Sequence, residues 1–205
     1  MGKLDDIFER QKEYMKTLVP TYIHNGFSIH TQWPWDINDR HAQEELRLLG
    51  WRYVEEIIEA LTIWEMGVLG GAQRKDYEEE VADALHFFVE LCLVTGLGPR
   101  DITRDGTLDG FFDYVGDTAR SHETSGHPFL DCIRSMADAV HTLRQRPWRI
   151  DNRPTLKETW ALRMYGAFRC FTELCYHTKI RSDDLYNAYF KKSKINEQRV
   201  ENFGV

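Results

Sequence analysis

Apolar residues recur at helical spacing along nearly the whole chain, and no stretch alternates with the two-residue period of a strand. Residues 4–18 form an amphipathic pattern that stops before Pro20. Residues 20–39, with Gly26, Trp33, Pro34, Trp35 and Asp36, read as a loop rich in aromatics and turn formers. A long helical pattern follows from about 40 to 68 and closes at Gly67, Gly70 and Gly71. The next helix runs to Gly96, with Asp76 as its N-cap and Glu79 as the capping-box partner. Residues 99–127 are less regular, with a helix over Leu108–Arg120. Pro128 opens a helix that ends before Pro147, and the Arg144–Pro154 stretch reads as a loop. Thr155 and Glu158 make a second capping box for a helix to about Thr178, and Ser182 caps a last one ending near Asn202. The expectation is an all-α helical bundle, one domain over residues 1–205.

Two of these helices carry acids where an apolar pattern leaves little room for them. In the first, Val54, Ile57, Ile58, Leu61, Ile63 and Trp64 lie nearly all round the helix, yet Glu55, Glu56 and Glu59 sit among them. In the second, Val81, Ala84, Leu85, Phe87, Phe88, Val89, Leu91, Cys92 and Leu93 surround Glu80 and Asp83. Helices apolar all round are expected to be buried. Glu56/Glu59 and Glu80/Asp83 are each spaced to share one helix face. Buried acids must be paired, protonated or bound to a cation, and no Lys or Arg lies inside either stretch. Four carboxylates from two helices make a hard-oxygen site for Mg²⁺.

Charge and composition narrow the partners. The net charge is -7, which argues against a nucleic-acid polymer or an anionic membrane surface. A phosphate-bearing small substrate stays compatible, because a bound cation inverts the local field. Cys92, Cys132, Cys170 and Cys175 all fall in apolar helical patterns, with no C-x-x-C pair, so a reduced, cytoplasmic setting is expected. Met1–Asp6 lacks the apolar core of a signal peptide, and no apolar run approaches the ~20 residues that span a bilayer.

Glu-x-x-Glu followed at this distance by Glu-x-x-Asp resembles the all-α nucleoside triphosphate pyrophosphatases: dimeric dUTPases, phage dCTP/dUTP pyrophosphatases and MazG-like enzymes. Asp83-Ala84-Leu85-His86-Phe87 is similar to the D-x-x-H-F continuation of the first two branches. The stretch from Tyr189 through Lys192, Asn196 and Arg199 to Gly204 resembles the motif that closes dimeric dUTPases, and Gln11 suits the family's opening Q-x-x-N. The chain departs from that pattern at Tyr14 and at Ser193, where the family carries Asn, and in the region of Trp64, which looks nearer to the phage branch.

The resemblance implies hydrolysis of a deoxynucleoside triphosphate to monophosphate and pyrophosphate, with dUTP the leading substrate and dCTP or another nucleotide the alternative. It implies Mg²⁺ held by Glu56, Glu59, Glu80 and Asp83, and phosphates gripped by Lys192, Asn196 and Arg199. The last three also recur at helical spacing and so present one polar face. Glu55 or Glu56 would take a proton from the attacking water. Gln11, Tyr14 and Trp64 would contact the substrate, with Tyr14 at the position that helps to read the base and Trp64, Trp33 or Trp35 covering it. A homodimer is the expected assembly. Two other classes are compatible with an acidic helical chain. A di-iron bundle needs Glu-x-x-His pairs, which do not occur here. A non-catalytic helical interaction module would have no use for buried acids facing one another.

Overall fold

The structure is a computed structural model that describes residues 2–24, 33–67, 71–121, 126–144 and 153–203. Eight helices and no strand occur among them. These are α1 (Lys3–His24), α2 (Arg40–Glu65), α3 (Ala72–Thr95), α4 (Pro99–Ile102), α5 (Leu108–Ser121), α6 (Pro128–His141), α7 (Lys157–His177) and α8 (Ser182–Phe203). The all-α expectation holds, and α4 is the one short element the periodicity did not reveal. No described helix is long and apolar enough to cross a membrane.

α2 and α3 form the most extensive pairing, as antiparallel neighbours joined by the short 66–71 connection. Asp39 starts α2 by accepting the Ala42 N–H at 2.8 Å. Gly96 ends α3 in the left-handed region, at φ 75°, where its N–H reaches the carbonyls of Cys92 and Leu93. Tyr53, Ile57 and Ala60 of α2 and Val81, Ala84, Leu85 and Phe88 of α3 are fully buried in one continuous core. Tyr53 and Phe88 meet with ring centroids 6.1 Å apart. α6 and α7 close one side of this pair. At Gly50 the approach of α6 is so tight that a Cβ would stand 2.6 Å from Val140 Cγ2. Phe168 of α7 stacks between Phe88 and Phe111, each at 5.3 Å. Phe168, Phe171, Leu174 and Cys175 of α7 are all fully buried within the one chain. α1 and α8 pack on each other and both on α3.

Several helix ends differ from their sequence signals. α1 continues past Pro20 to His24. α3 starts at Ala72, so Asp76 is not its N-cap, and Glu79 pairs instead with Lys191 at 2.8 Å. α7 starts at Lys157 without a side-chain cap. Thr155 has other work: its hydroxyl accepts from Gln43 Nε2 and from the Arg144 N–H, both at 3.0 Å, in a buried spot where those donors need a partner. Ser182 is the first residue of α8, and its hydroxyl donates to Asp109 Oδ1 at 2.5 Å. Gly26, Gly70, Pro147 and Gly204, singled out above, lie outside the described residues.

Candidate active site

Burial of Ile57 and Val81 in the α2–α3 seam leaves the residues before them, Glu56 and Glu80, half-buried at its rim. Glu59, one turn on, is exposed. Carboxylate oxygens of Glu56, Glu59 and Glu80 all lie within 4.8 Å of one another. α2 is thus not buried all round, as its apolar pattern suggested. Ile58 is 42 % exposed, with Trp51 and Met66 also open, because neighbouring helices cover only one side of α2. The acids stand at the boundary between that covered seam and solvent.

Crowding like charges there has a price in protonation. Partial burial, then the charges of Asp83, Glu59 and Glu80 and a hydrogen bond with Glu80, push the Glu56 carboxyl up to about 8. Burial and the Glu59 charge also raise Glu80. Three hard oxygen donors that repel one another to this degree fit a divalent cation, which would hold them ionised.

Asp83 stands apart from its three neighbours because it already has a cation. Lys192 Nζ lies 2.6 Å from Asp83 Oδ2, and Lys192 is only 7 % exposed. Burial still pushes the Asp83 carboxyl up, against the opposing pull of Lys192, a hydrogen bond from Asn196 and the Arg199 charge. The basic partner missing from both acid stretches comes from α8, and Lys191 likewise pairs with Glu79. Lys192, Asn196 and Arg199 are therefore assembled beside the acid cluster, with Arg199 exposed.

The remaining candidate residues take different places. Glu55 points away from the cluster's three acids: it accepts from Trp51 Nε1 at 2.8 Å and from Arg52 at 3.0 Å. Gln11 is buried, 2.7 Å from His86 Nδ1, and its Oε1 accepts the Tyr189 hydroxyl at 2.8 Å. His86 stacks on Tyr189 at 4.0 Å, and burial lowers it to about 3, so it is neutral. Tyr14 is half-buried and meets the His86 ring edge-on at 6.4 Å. Trp64 packs between Tyr77 and Phe129, 6.1 Å from each, in the core near the α2 C-terminus. Trp35 is buried and tied to α3 by its N–H to the Val94 carbonyl at 2.7 Å, and Trp33 packs on the core.

Three further residues, to which the sequence pattern assigned no role, matter here. Tyr189 opens the carboxyl-terminal stretch already noted, so its place in the motif was a usable signal. Glu90, two turns beyond Asp83 on α3, is pushed up to about 7 by burial. Its acid in a run of apolar residues was the same cue that marked Glu80 and Asp83. Arg10, one of many charged residues on an amphipathic helix, offered no cue at all.

Among protein families, the model described as dUTPase matches residues 56–203, which is most of the chain. The matched stretch opens on Glu56 and takes in Glu59, Glu80, Asp83, Lys192, Asn196 and Arg199. No curated protein and no solved structure matches the chain.

Proposed function

We propose, since the chain belongs to the all-α dUTPase family of nucleoside triphosphate pyrophosphohydrolases, that it converts dUTP to dUMP and pyrophosphate with Mg²⁺. The single observation that carries this reading is the juxtaposition of two unlike charge clusters. Carboxylate oxygens of Glu56, Glu59 and Glu80 converge within 4.8 Å, and the Lys192/Asn196/Arg199 face of α8 lies against Asp83 beside them.

Glu56, Glu59, Glu80 and Asp83 would hold Mg²⁺, which when bound neutralises phosphate oxygens and acidifies water. The chain's own residues divide the rest of the work. Lys192 and Arg199 bind the negative charge that grows on the departing pyrophosphate, and Arg199 offers a planar fork for two oxygens. Asn196 donates an amide N–H to a phosphate oxygen. Glu56, ionised once a cation is bound, accepts the proton of the attacking water. Glu55, engaged outward by Trp51 and Arg52, is the less suitable of the two acids. Gln11, with its oxygen turned to Tyr189 and His86, orders the inner wall beside Tyr14 where the base is read.

The test is a panel of ribo- and deoxynucleoside di- and triphosphates with Mg²⁺, scored for monophosphate and pyrophosphate. dUTP turned over fastest, with pyrophosphate released one-to-one, supports the reading. Preference for dCTP moves the chain to the phage-type alternative, and no turnover of any nucleotide overturns it. We further propose a homodimer. Leu48, Trp51, Ile58 and Met66 lie on the exposed side of α2, an apolar stripe that a second copy would cover. Light scattering at micromolar concentration checks this, and a monomer there would remove it.

A further inference from the structure

α8 carries two stripes, one turned to each neighbour. Lys192, Asn196 and Arg199 form the stripe beside the α3 acids. Tyr189, Ser193 and Glu197 follow at intervals of four, rotated by about one residue's turn of ~100°. This second stripe is read by α1. Arg10 Nε donates to Ser193 Oγ at 2.8 Å, its other arm pairs with Glu197, and Gln11 accepts from Tyr189. Ser193 is fully buried, so the guanidinium reaches into the packed interface with its donors used on two successive turns of α8. Gln11 also reaches His86 on α3 at 2.7 Å, three residues past Asp83. α1 is thereby bonded both to the helix that carries the acids and to the helix that carries the cations.

We propose that Arg10 is a positioning residue. α1 acts as a strut, and the Arg10–Ser193–Glu197 clamp sets the rotation and register of α8 so that Lys192, Asn196 and Arg199 face the acid cluster. Ser193 is part of the same device, since a serine hydroxyl is small enough to be buried against the guanidinium. The inference rests on the pyrophosphohydrolase reading of the site. The clamp touches no substrate atom and acts only through the α8 stripe. Small displacements of groups that grip a reacting phosphate cost rate steeply, whereas Glu56, Glu59 and Glu80 are carried on the α2–α3 seam itself.

The experiment uses the full chain with Arg10→Met, assayed well below its melting temperature. KM for the preferred triphosphate should rise about tenfold and kcat should fall, the scale expected when a charge-assisted hydrogen-bond pair is lost. Mg²⁺ alone, titrated by calorimetry without nucleotide, should bind within about twofold of the unaltered chain. Arg10→Lys should recover part of the loss, since an ammonium can pair with Glu197 but cannot span both partners. Unchanged KM and kcat, with or without a lower melting temperature, would overturn the proposal and leave Arg10 a plain stabilising contact. If Arg10→Met does not fold, Glu197→Gln and Ser193→Ala each remove one arm, and wild-type kinetics in both has the same overturning force. If the unaltered chain cleaves no nucleotide, the functional reading fails and the strut is judged by hydrogen exchange. Amides over 189–199 should then exchange at least about tenfold faster in Arg10→Met, and unchanged protection sinks it.

Discussion

The two ends of one acidic face on α3 are held in opposite ways. Glu80, with Glu56 and Glu59 from α2, stands in a cluster of like charges, which the Lys192 charge only partly offsets at Glu80. Asp83, less than a turn away, is matched by Lys192 and Asn196 from α8. The first arrangement is unfavourable in isolation and would become favourable with a cation bound. The second is complete as it stands. On the proposed reading the difference separates affinity from stability: the repulsive cluster would take up a metal, and the paired acid would anchor the helix proposed to supply the phosphate grip.

Removing a charge from the open cluster gives the largest expected effect. Glu59→Gln should keep the helical fold and reduce turnover by at least about a hundredfold, because a ligand charge is lost. Asp83→Asn should cost a similar factor. Circular dichroism and steady-state kinetics on both purified variants check this, and wild-type activity in both would remove the assignment. The two should differ in metal-free stability. Glu59→Gln relieves repulsion and should melt higher than the unaltered chain, whereas Asp83→Asn strands the Lys192 charge and should melt lower.

Breaking the paired end from the other side is the next test. Lys192→Met leaves the Asp83 charge largely buried without its partner and should cost about 3 kcal/mol of stability in urea unfolding without metal, at the low end for a buried pair because Asn196 remains. Saturating Mg²⁺ should return part of that loss, since a cation held by Asp83 would supply the positive charge that Lys192 gave up. No return would show that Asp83 serves only as an anchor.

pH sharpens the comparison further. Glu56 keeps its proton in the folded chain up to about 8, against an ordinary value of 4.5. The folded state therefore holds more protons than the unfolded one across that window, and metal-free stability should fall as pH rises through it. His86 works in the opposite sense, being lowered to about 3 from 6.5, but its contribution is complete above 6.5. Between pH 6.5 and 8 the melting temperature without metal should therefore decline, with Glu90 acting in the same direction. Mg²⁺ should remove the share of the decline that Glu56 carries, and a flat profile without metal would count against the crowded cluster.

The smallest effect concerns the base. Tyr14 offers one hydroxyl where the family carries a two-way amide, so discrimination of dUTP from dCTP and dTTP should be weak. Tyr14→Asn should sharpen it several-fold in competition kinetics. Strong exclusion of both competitors by the unaltered chain, unchanged in the variant, would place base reading elsewhere.

Helical periodicity alone determined that this is an all-α chain, and the acids at i,i+3 within apolar helices marked out Glu56, Glu59, Glu80 and Asp83. Both signals are local: each needs only a few turns of one helix to be visible. Helix ends were less legible, as at Thr155, because a side chain able to cap a helix can equally satisfy a buried amide from a distant one. The exposure of Glu59 and Ile58 was also beyond sequence, since an apolar pattern fixes which residues suit burial and not which of them a neighbour will cover. Only tertiary structure paired Asp83 with Lys192 and set Arg10 against Ser193 and Glu197. Those contacts join helices far apart in the chain, and the register between packed helices is decided by the whole core, not by the sequence on either side of the contact.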